Sequence, residues 1–330
     1  MNNIKMIAVA LATCVLGSIY TPANAQIQIG SSMSSAGPGK ISKEEMAKFK
    51  QSTTYFILQE RDYQQLDAFQ EAIAKVWTVT PFKIIRQDEM RSLDKRKSSF
   101  FFFGGFVTIR RGQSTTTYHT HLSYDLYMLE ANKKGHLEQQ LFGKFMLHLD
   151  SESYRQTMRF ATSNKTFGQK ITPYMYSEAE MQNWNPLMIS GYLKVINDGL
   201  QQETLRSAFE EHIDKNELKK LQTETLYIPD YVNTKFNMFT MDEKDTEEDT
   251  DDLKSAYPFP AKYVSSAELR KLAEQHPEGI WYLSYIKSST DKYVGIFNSK
   301  TGEMIMNFYV PVSYNFKMKD LKRVATKVKS

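Results

Sequence analysis

This 330-residue chain contains a single cysteine, Cys14, placed inside its first apolar run. No intramolecular disulfide is possible, and neither a cysteine nucleophile nor a C-x-x-C metal or redox pair exists. Also missing are the G-x-S-x-G elbow, the P-loop, the dinucleotide G-x-G-x-x-G and the H-E-x-x-H helix. These absences weigh against an enzyme, although a carboxylate pair assembled by the fold from distant residues would leave no such trace. Beyond the amino terminus no apolar run approaches the ~20 residues of a membrane span. Basic tracts are short, Lys95-Arg96-Lys97 and Arg110-Arg111, so nucleic-acid binding has no support.

What is present begins with a processing signal. Lys5 precedes an apolar core from Met6 to Ile19, and Ala23 and Ala25 form a small-x-small pair before Gln26. This pattern predicts residues 1–25 as a secretory signal peptide cleaved after Ala25, with export to the periplasm or cell surface. Cys14 raises a lipoprotein alternative, disfavoured because Thr13 stands where Gly or Ala is preferred and apolar residues continue past it. Residues 26–40, rich in Gly and Ser, read as a flexible linker. The net charge of +4 conceals an acidic run, residues 242–252, with eight acids against one lysine. That leaves a mildly basic body, which in most chains serves solubility.

Two internal echoes organise the rest. Residues 41–57 (ISKEEMAKFKQSTTYFI) match 213–229 (IDKNELKKLQTETLYIP) at Ile41 and Ile213, Lys43 and Lys215, Glu45 and Glu217, Lys48 and Lys220, Thr53 and Thr225, and Tyr55 and Tyr227. PFKIIRQDEMRSL from Pro81 likewise answers PAKYVSSAELRKL from Pro260. A structural duplication is the economical explanation. The fold expected is α+β: two duplicated β-α-β-α-β-β-β units with mixed sheets, over 41–150 and 213–330, joined by a helical connector over 151–212.

Within the first unit, Ser42 and Glu45 have capping-box spacing ahead of a short helix, and Thr53 to Leu58 reads as a buried strand. Asp62 caps a helix carrying Leu66, Phe69, Ile73, Val76 and Trp77 on one face. Phe100 to Arg110 is a strand in which Gly104-Gly105 predicts a bulge or bend; partner strands run from Thr115 to Leu129 and from Gly135 to near Asp150. In the second unit Ser265 and Glu268 repeat the capping spacing. Val232 to Ala256 replaces the Asp62 helix with an expected mobile acidic loop. Ser177 with Glu180 predicts the start of a connector helix that Pro186 interrupts. Lys317 to Lys329 reads as an amphipathic helix packed on the core, with a membrane-surface helix as the alternative.

In arrangement, residues 53 to 130 and less fully 223 to 310 resemble the amino-terminal α/β domain of the periplasmic TolB proteins and similar envelope domains. The TolB propeller has no counterpart here. The resemblance implies a scaffold or adaptor that binds partner proteins and catalyses nothing.

Two sets of side chains are candidates for chemistry. His119 and His121 share one face of a strand with Ser123 and Asp125, while His148 and Asp150 repeat the spacing in the next strand. His119, His121, His148 and Asp150 would suit Zn. The competing reading is the water-facing side of an antiparallel meander, favoured because no catalytic motif accompanies the cluster. The acidic run lacks the Gly turn of a Ca2+ loop, which favours a solvated segment. Tyr174, Tyr176 and Trp184 are the aromatics expected to be exposed, and would line a glycan or peptide site. The reading is therefore an exported binding or scaffold protein of the bacterial envelope, acting on an envelope protein partner through sheet edges or a groove between units, with no cofactor. The alternatives are a metal-dependent hydrolase acting on an envelope polymer and a glycan- or peptide-binding module.

Overall fold

A computed structural model describes residues 26–31, 38–111, 116–131, 135–161, 167–237, 240, 242–246, 250–289 and 291–330. The expected signal peptide and Cys14 lie outside the described residues. In chain order the first half comprises β1 (Ile27–Ile29), α1 (Lys43–Lys50), β2 (Thr53–Ile57), α2 (Leu66–Ala74), β3 (Phe82–Ile85), β4 (Ser98–Arg111), β5 (Thr116–Ala131) and β6 (Leu137–Met146). The connector carries α3 (Ser151–Ala161), α4 (Phe167–Ser177) and α5 (Pro186–Gln201). The second half comprises β7 (His212–Ile213), α6 (Lys215–Leu218), β8 (Leu226–Pro229), β9 (Thr234–Phe236), β10 (Glu243–Asp245), α7 (Thr250–Ala256), β11 (Ala261–Val264), α8 (Ser266–Gln275), β12 (Trp281–Ser288), β13 (Asp291–Asn298), β14 (Met304–Val310) and α9 (Met318–Lys329).

The strands build two six-stranded mixed sheets, β1-β6-β5-β4-β2-β3 and β11-β8-β12-β13-β14-β7, so the fold is α+β. Read from matching edges, the two sheets have the same strand order and directions. In each, two strands flank a central one in parallel, and an antiparallel meander follows. The register agrees too. Tyr55 pairs with Lys83 and Phe100, and Tyr227 with Lys262 and Tyr282; Ile57 faces Ile85, and Pro229 faces Val264. Even the irregularities coincide: pairing shifts between Leu126 and Tyr127 against β6, and between Ile296 and Phe297 against β14, where Tyr127 faces Phe100 and Phe297 faces Tyr282. The edge strands depart from the sequence echo. Ile29 pairs with Gly143 as Ile213 pairs with Met306, which makes Ile29, not Ile41, the counterpart of Ile213.

Local chemistry explains the helix starts. The Ser42 hydroxyl accepts from Glu45 N at 3.1 Å while the Glu45 carboxylate accepts from Ser42 N, so two orphan amides are satisfied at once. Ser265 caps α8 by accepting from Glu268 N at 3.1 Å, while the Glu268 carboxylate accepts from Lys262 Nζ instead of closing the box. In α9, Leu321, Val324, Ala325 and Val328 are buried, each Leu or Val contributing roughly 2 kcal/mol. Its buried Asp320 meets the equally buried Lys292 ammonium at 2.5 Å.

Four sequence expectations are corrected. The segment read as a flexible linker begins with β1, whose residues are buried and paired with β6; the alternating Gln-Ile-Gln-Ile pattern carries that strand, and 32–37 lie outside the described residues. The segment read as a mobile loop holds the β9–β10 hairpin and α7, in the place between β8 and β11 that α2 occupies between β2 and β3. Three of its described acids have partners: Asp242 lies 3.7 Å from Arg155, Glu243 lies 3.6 Å from Lys287, and the Thr234 hydroxyl donates to Asp245 at 2.7 Å. Leu253 and Ala256 bury the inner face of α7. No bulge interrupts β4 at Gly104-Gly105, which pair in continuous register with Ser123 and Leu122. Gly104 is required for another reason: a Cβ there would collide with the Asp125 carboxylate. The connector helix starts at Pro186, where proline's missing N–H costs nothing, and is capped by Asn185; Ser177 instead ends α4, a helix that carries Pro173 in its interior.

The groove expected between the units is filled by α5. Tyr192 packs against Phe145 of the first sheet, with centroids 4.8 Å apart, and against Phe297 of the second at 5.6 Å; its hydroxyl lies 2.6 Å from Ser284 Oγ. Asn197 Oδ1 accepts from the amides of Thr78 and Val79, tying the same helix to the first unit. One continuous apolar core results. Among the described residues, no helix is long and apolar enough to cross a membrane.

Candidate functional site

An open concavity lined from both halves lies beside the connector. Gln59, Arg61 and Asp62 reach it from the 3-10 turn after β2, Glu180 and Trp184 from the segment before α5, and Arg270 from α8. Asp62 is 2% exposed and sits at its floor. Its Oδ2 accepts from Gln59 N at 2.9 Å and from the Trp184 indole Nε1 at 2.7 Å. Burial raises the Asp62 carboxyl to about 6, against the pull of the Trp184 and Gln59 hydrogen bonds and of Arg61. The group is therefore mostly ionised at neutral pH, at a cost to the folded state.

Around this floor the cations differ. The Arg61 guanidinium is held by Glu180 and the Ala179 carbonyl, and its Nε donates to Gln59 Oε1 at 3.1 Å. Gln59 is itself fixed, its Nε2 donating to the Met175 and Ala179 carbonyls at 2.6 and 2.8 Å. Arg270 is half-buried, and among the described residues it has no hydrogen bond or ion pair. The cleft thus offers one uncommitted guanidinium on a wall of committed groups, a geometry suited to an incoming carboxylate or carbonyl.

The aromatic set behaves otherwise than its sequence suggests. Trp184 and Tyr176 are buried at 9% and 3% exposure, and only Tyr174 is partly open, packed edge-on against Phe160. Trp184 lies among Phe103, Tyr124 and Phe145, and Tyr176 accepts from Phe103 N through its hydroxyl at 3.1 Å. Their burial follows from partners remote in sequence, above all Asp62 for the indole N–H. Trp184 still reaches the cleft, as its back wall and not as a stacking platform.

The proposed metal ligands also find partners elsewhere. His119 Nδ1 lies 3.2 Å from Ser289 Oγ, His121 Nδ1 lies 3.1 Å from Ser288 Oγ, and His148 Nδ1 lies 3.1 Å from the Tyr285 carbonyl. All three imidazoles therefore meet the β12 end of the second unit. The face read as water-facing is an inter-unit contact in which His119 and His148 are buried. Burial, reinforced by the Lys287 ammonium, holds His148 down at about 3, so it is neutral. Asp150 instead accepts from Ser153 N at 2.9 Å at the start of α3. Among the described residues no group of three His, Cys, Asp or Glu is placed to hold a metal ion.

Sequence reasoning missed Arg61, Asp62 and Arg270 as a set. Asp62 reads locally as a helix cap, and nothing in the chain links it to Trp184 or to a helix two hundred residues onward. Deeper in the first sheet, the buried Asp125 carboxyl faces Lys144 across β5 and β6; burial raises the carboxyl and lowers the ammonium, each opposed by the other's charge. No protein-family model, curated protein or solved structure matches the chain.

Proposed function

We propose that this is an exported, non-enzymatic binding or scaffold protein of the bacterial cell envelope, which takes an acidic segment of a partner envelope protein into the cleft beside its connector. The observation that carries the reading is Arg270: a half-buried guanidinium without a partner among the described residues, in a cleft whose other charges are already engaged. A bidentate carboxylate would complete it. The resemblance in arrangement to TolB amino-terminal domains leans toward partner binding as well. We read the shared strand order, register and pairing irregularities as descent from one copied segment, and the sequence as that of a secreted chain cleaved after Ala25.

A photo-crosslinking residue at Ser266, on the rim of the cleft, tests the reading in intact cells. A discrete adduct is expected, and it should disappear when Arg270→Glu is introduced into a protein whose melting temperature is unchanged. The reading is wrong if Ser266 yields no adduct, or one indifferent to the charge at position 270.

A further inference from the structure

The environment of Gln26 is more restrictive than that of an ordinary chain terminus. The residue is fully buried, ahead of β1 and against the second sheet. Its backbone N donates to Asn307 Oδ1 at 3.2 Å, and its carbonyl accepts from Met146 N at 3.1 Å. Asn307 Nδ2 donates to the Glu210 carbonyl at 3.2 Å, which fixes the amide with its oxygen toward Gln26. On the side chain, Oε1 lies 3.4 Å from Ser284 Oγ, while Nε2 is buried without a hydrogen-bond partner. Gly295 makes the space: a Cβ there would stand 2.7 Å from that Nε2.

These features conflict with a free amino-terminal glutamine. Cleavage after Ala25 would convert the buried N–H into an ammonium whose fixed acceptor is a neutral amide oxygen, and an uncompensated buried charge is strongly disfavoured. The glutamine amide would meanwhile keep an unsatisfied donor in the same pocket. One reaction removes both problems.

We propose that Gln26 is a modification site, and that the folded protein carries it as amino-terminal pyroglutamate. The proposal rests on the reading that the chain is cleaved after Ala25. In the reaction the α-amine nitrogen attacks the residue's own Cδ, the new N–Cδ bond forms, the Cδ–Nε2 bond breaks, and ammonia departs with the proton released by the amine. Nothing is oxidised or reduced, and no co-reactant is consumed. The orphaned nitrogen is the atom that leaves. The carbonyl oxygen is kept as the lactam oxygen, carried by the ring toward the residue's own nitrogen and away from its open-chain position beside Ser284, and the amine becomes a neutral lactam N–H that still donates to Asn307 Oδ1. Ring closure precedes docking of β1, because the buried side chain extends away from its own backbone nitrogen toward Ser284.

The test uses the exported full-length product, isolated immediately after synthesis and examined by intact mass and amino-terminal sequencing. The expected result is a chain starting at position 26, about 17 Da lighter than its glutamine form, blocked to sequencing. Pyroglutamyl aminopeptidase should unblock it only after unfolding, since the ring lies inside the protein. A chain starting at Gln26 with a free amine overturns the proposal and leaves the cleavage reading intact; so does a free amine that becomes blocked only on storage. Removal of the ring from the folded protein contradicts the burial on which the argument depends. A chain starting at any other residue overturns the cleavage reading and the proposal together.

Discussion

Replacing Asp62 by asparagine isolates the cost of keeping a charge at the floor of the cleft. In the unfolded chain this carboxyl loses its proton near its ordinary 3.8, whereas in the fold it holds the proton to about 6. Between those values the folded state binds more protons than the unfolded state, so stability falls as pH rises from about 4 to about 6 and is level above. Below about pH 4 both states are protonated and the full stability is present. At about 1.4 kcal/mol per pH unit, the gap corresponds to about 3 kcal/mol lost by neutral pH. The asparagine side chain would mimic the protonated acid, with its Oδ1 still accepting from Trp184 Nε1 and Gln59 N. Asp62→Asn is therefore predicted to stabilise the protein by up to about 3 kcal/mol at pH 7 and to give no gain at pH 4. Urea unfolding of both proteins at the two pH values measures it, because every other titrating group cancels in the comparison. An equal difference at pH 4 and pH 7, or a variant that loses ground as pH rises, would refute the account of Asp62.

Three further perturbations address the frame around the cleft. Asp320→Ala strands the fully buried Lys292 ammonium with the Asn315 carbonyl as its remaining acceptor, and should cost about 3–5 kcal/mol by chemical denaturation; a loss under 1 kcal/mol would show the pair is solvated. Gly104→Ala should cost about 1–3 kcal/mol through its collision with Asp125, and much less beside Asp125→Ala, so a double-mutant cycle with no coupling would contradict the packing. Changing both His119 and His121 to Ala should lower the melting temperature by loosening the contact with Ser288 and Ser289, without releasing metal; stoichiometric Zn in the parent protein, lost in the variant, would restore the metal-site reading.

Much of the frame was legible because it is local. The capping pairs Ser42 with Glu45 and Ser265 with Glu268, the apolar face of α9 and the strand pattern around Tyr55 and Tyr227 each declare themselves within a few residues. Elements stabilised from afar did not. β1 is three residues long and gains its identity from β6, more than a hundred positions later. Asp242 and Glu243 of the acidic segment meet Arg155 and Lys287, cations on separate elements, whereas the segment's own composition points toward solvent. Trp184 is drawn inward by Asp62, and the cleft exists only where both units and the connector meet. The histidine spacing in β5 was visible, but whether a strand face meets water or a second sheet depends on what folds over it.

The function proposed for the cleft depends on Arg270 receiving an acidic partner. Affinity purification from solubilised envelopes, comparing the parent protein with Arg270→Glu and Arg270→Lys at matched expression and melting temperature, tests it most directly. The account predicts a stoichiometric protein partner that is lost with glutamate and weakened with lysine, which keeps the charge but not the bidentate fork. Full retention of that partner by Arg270→Glu would contradict it.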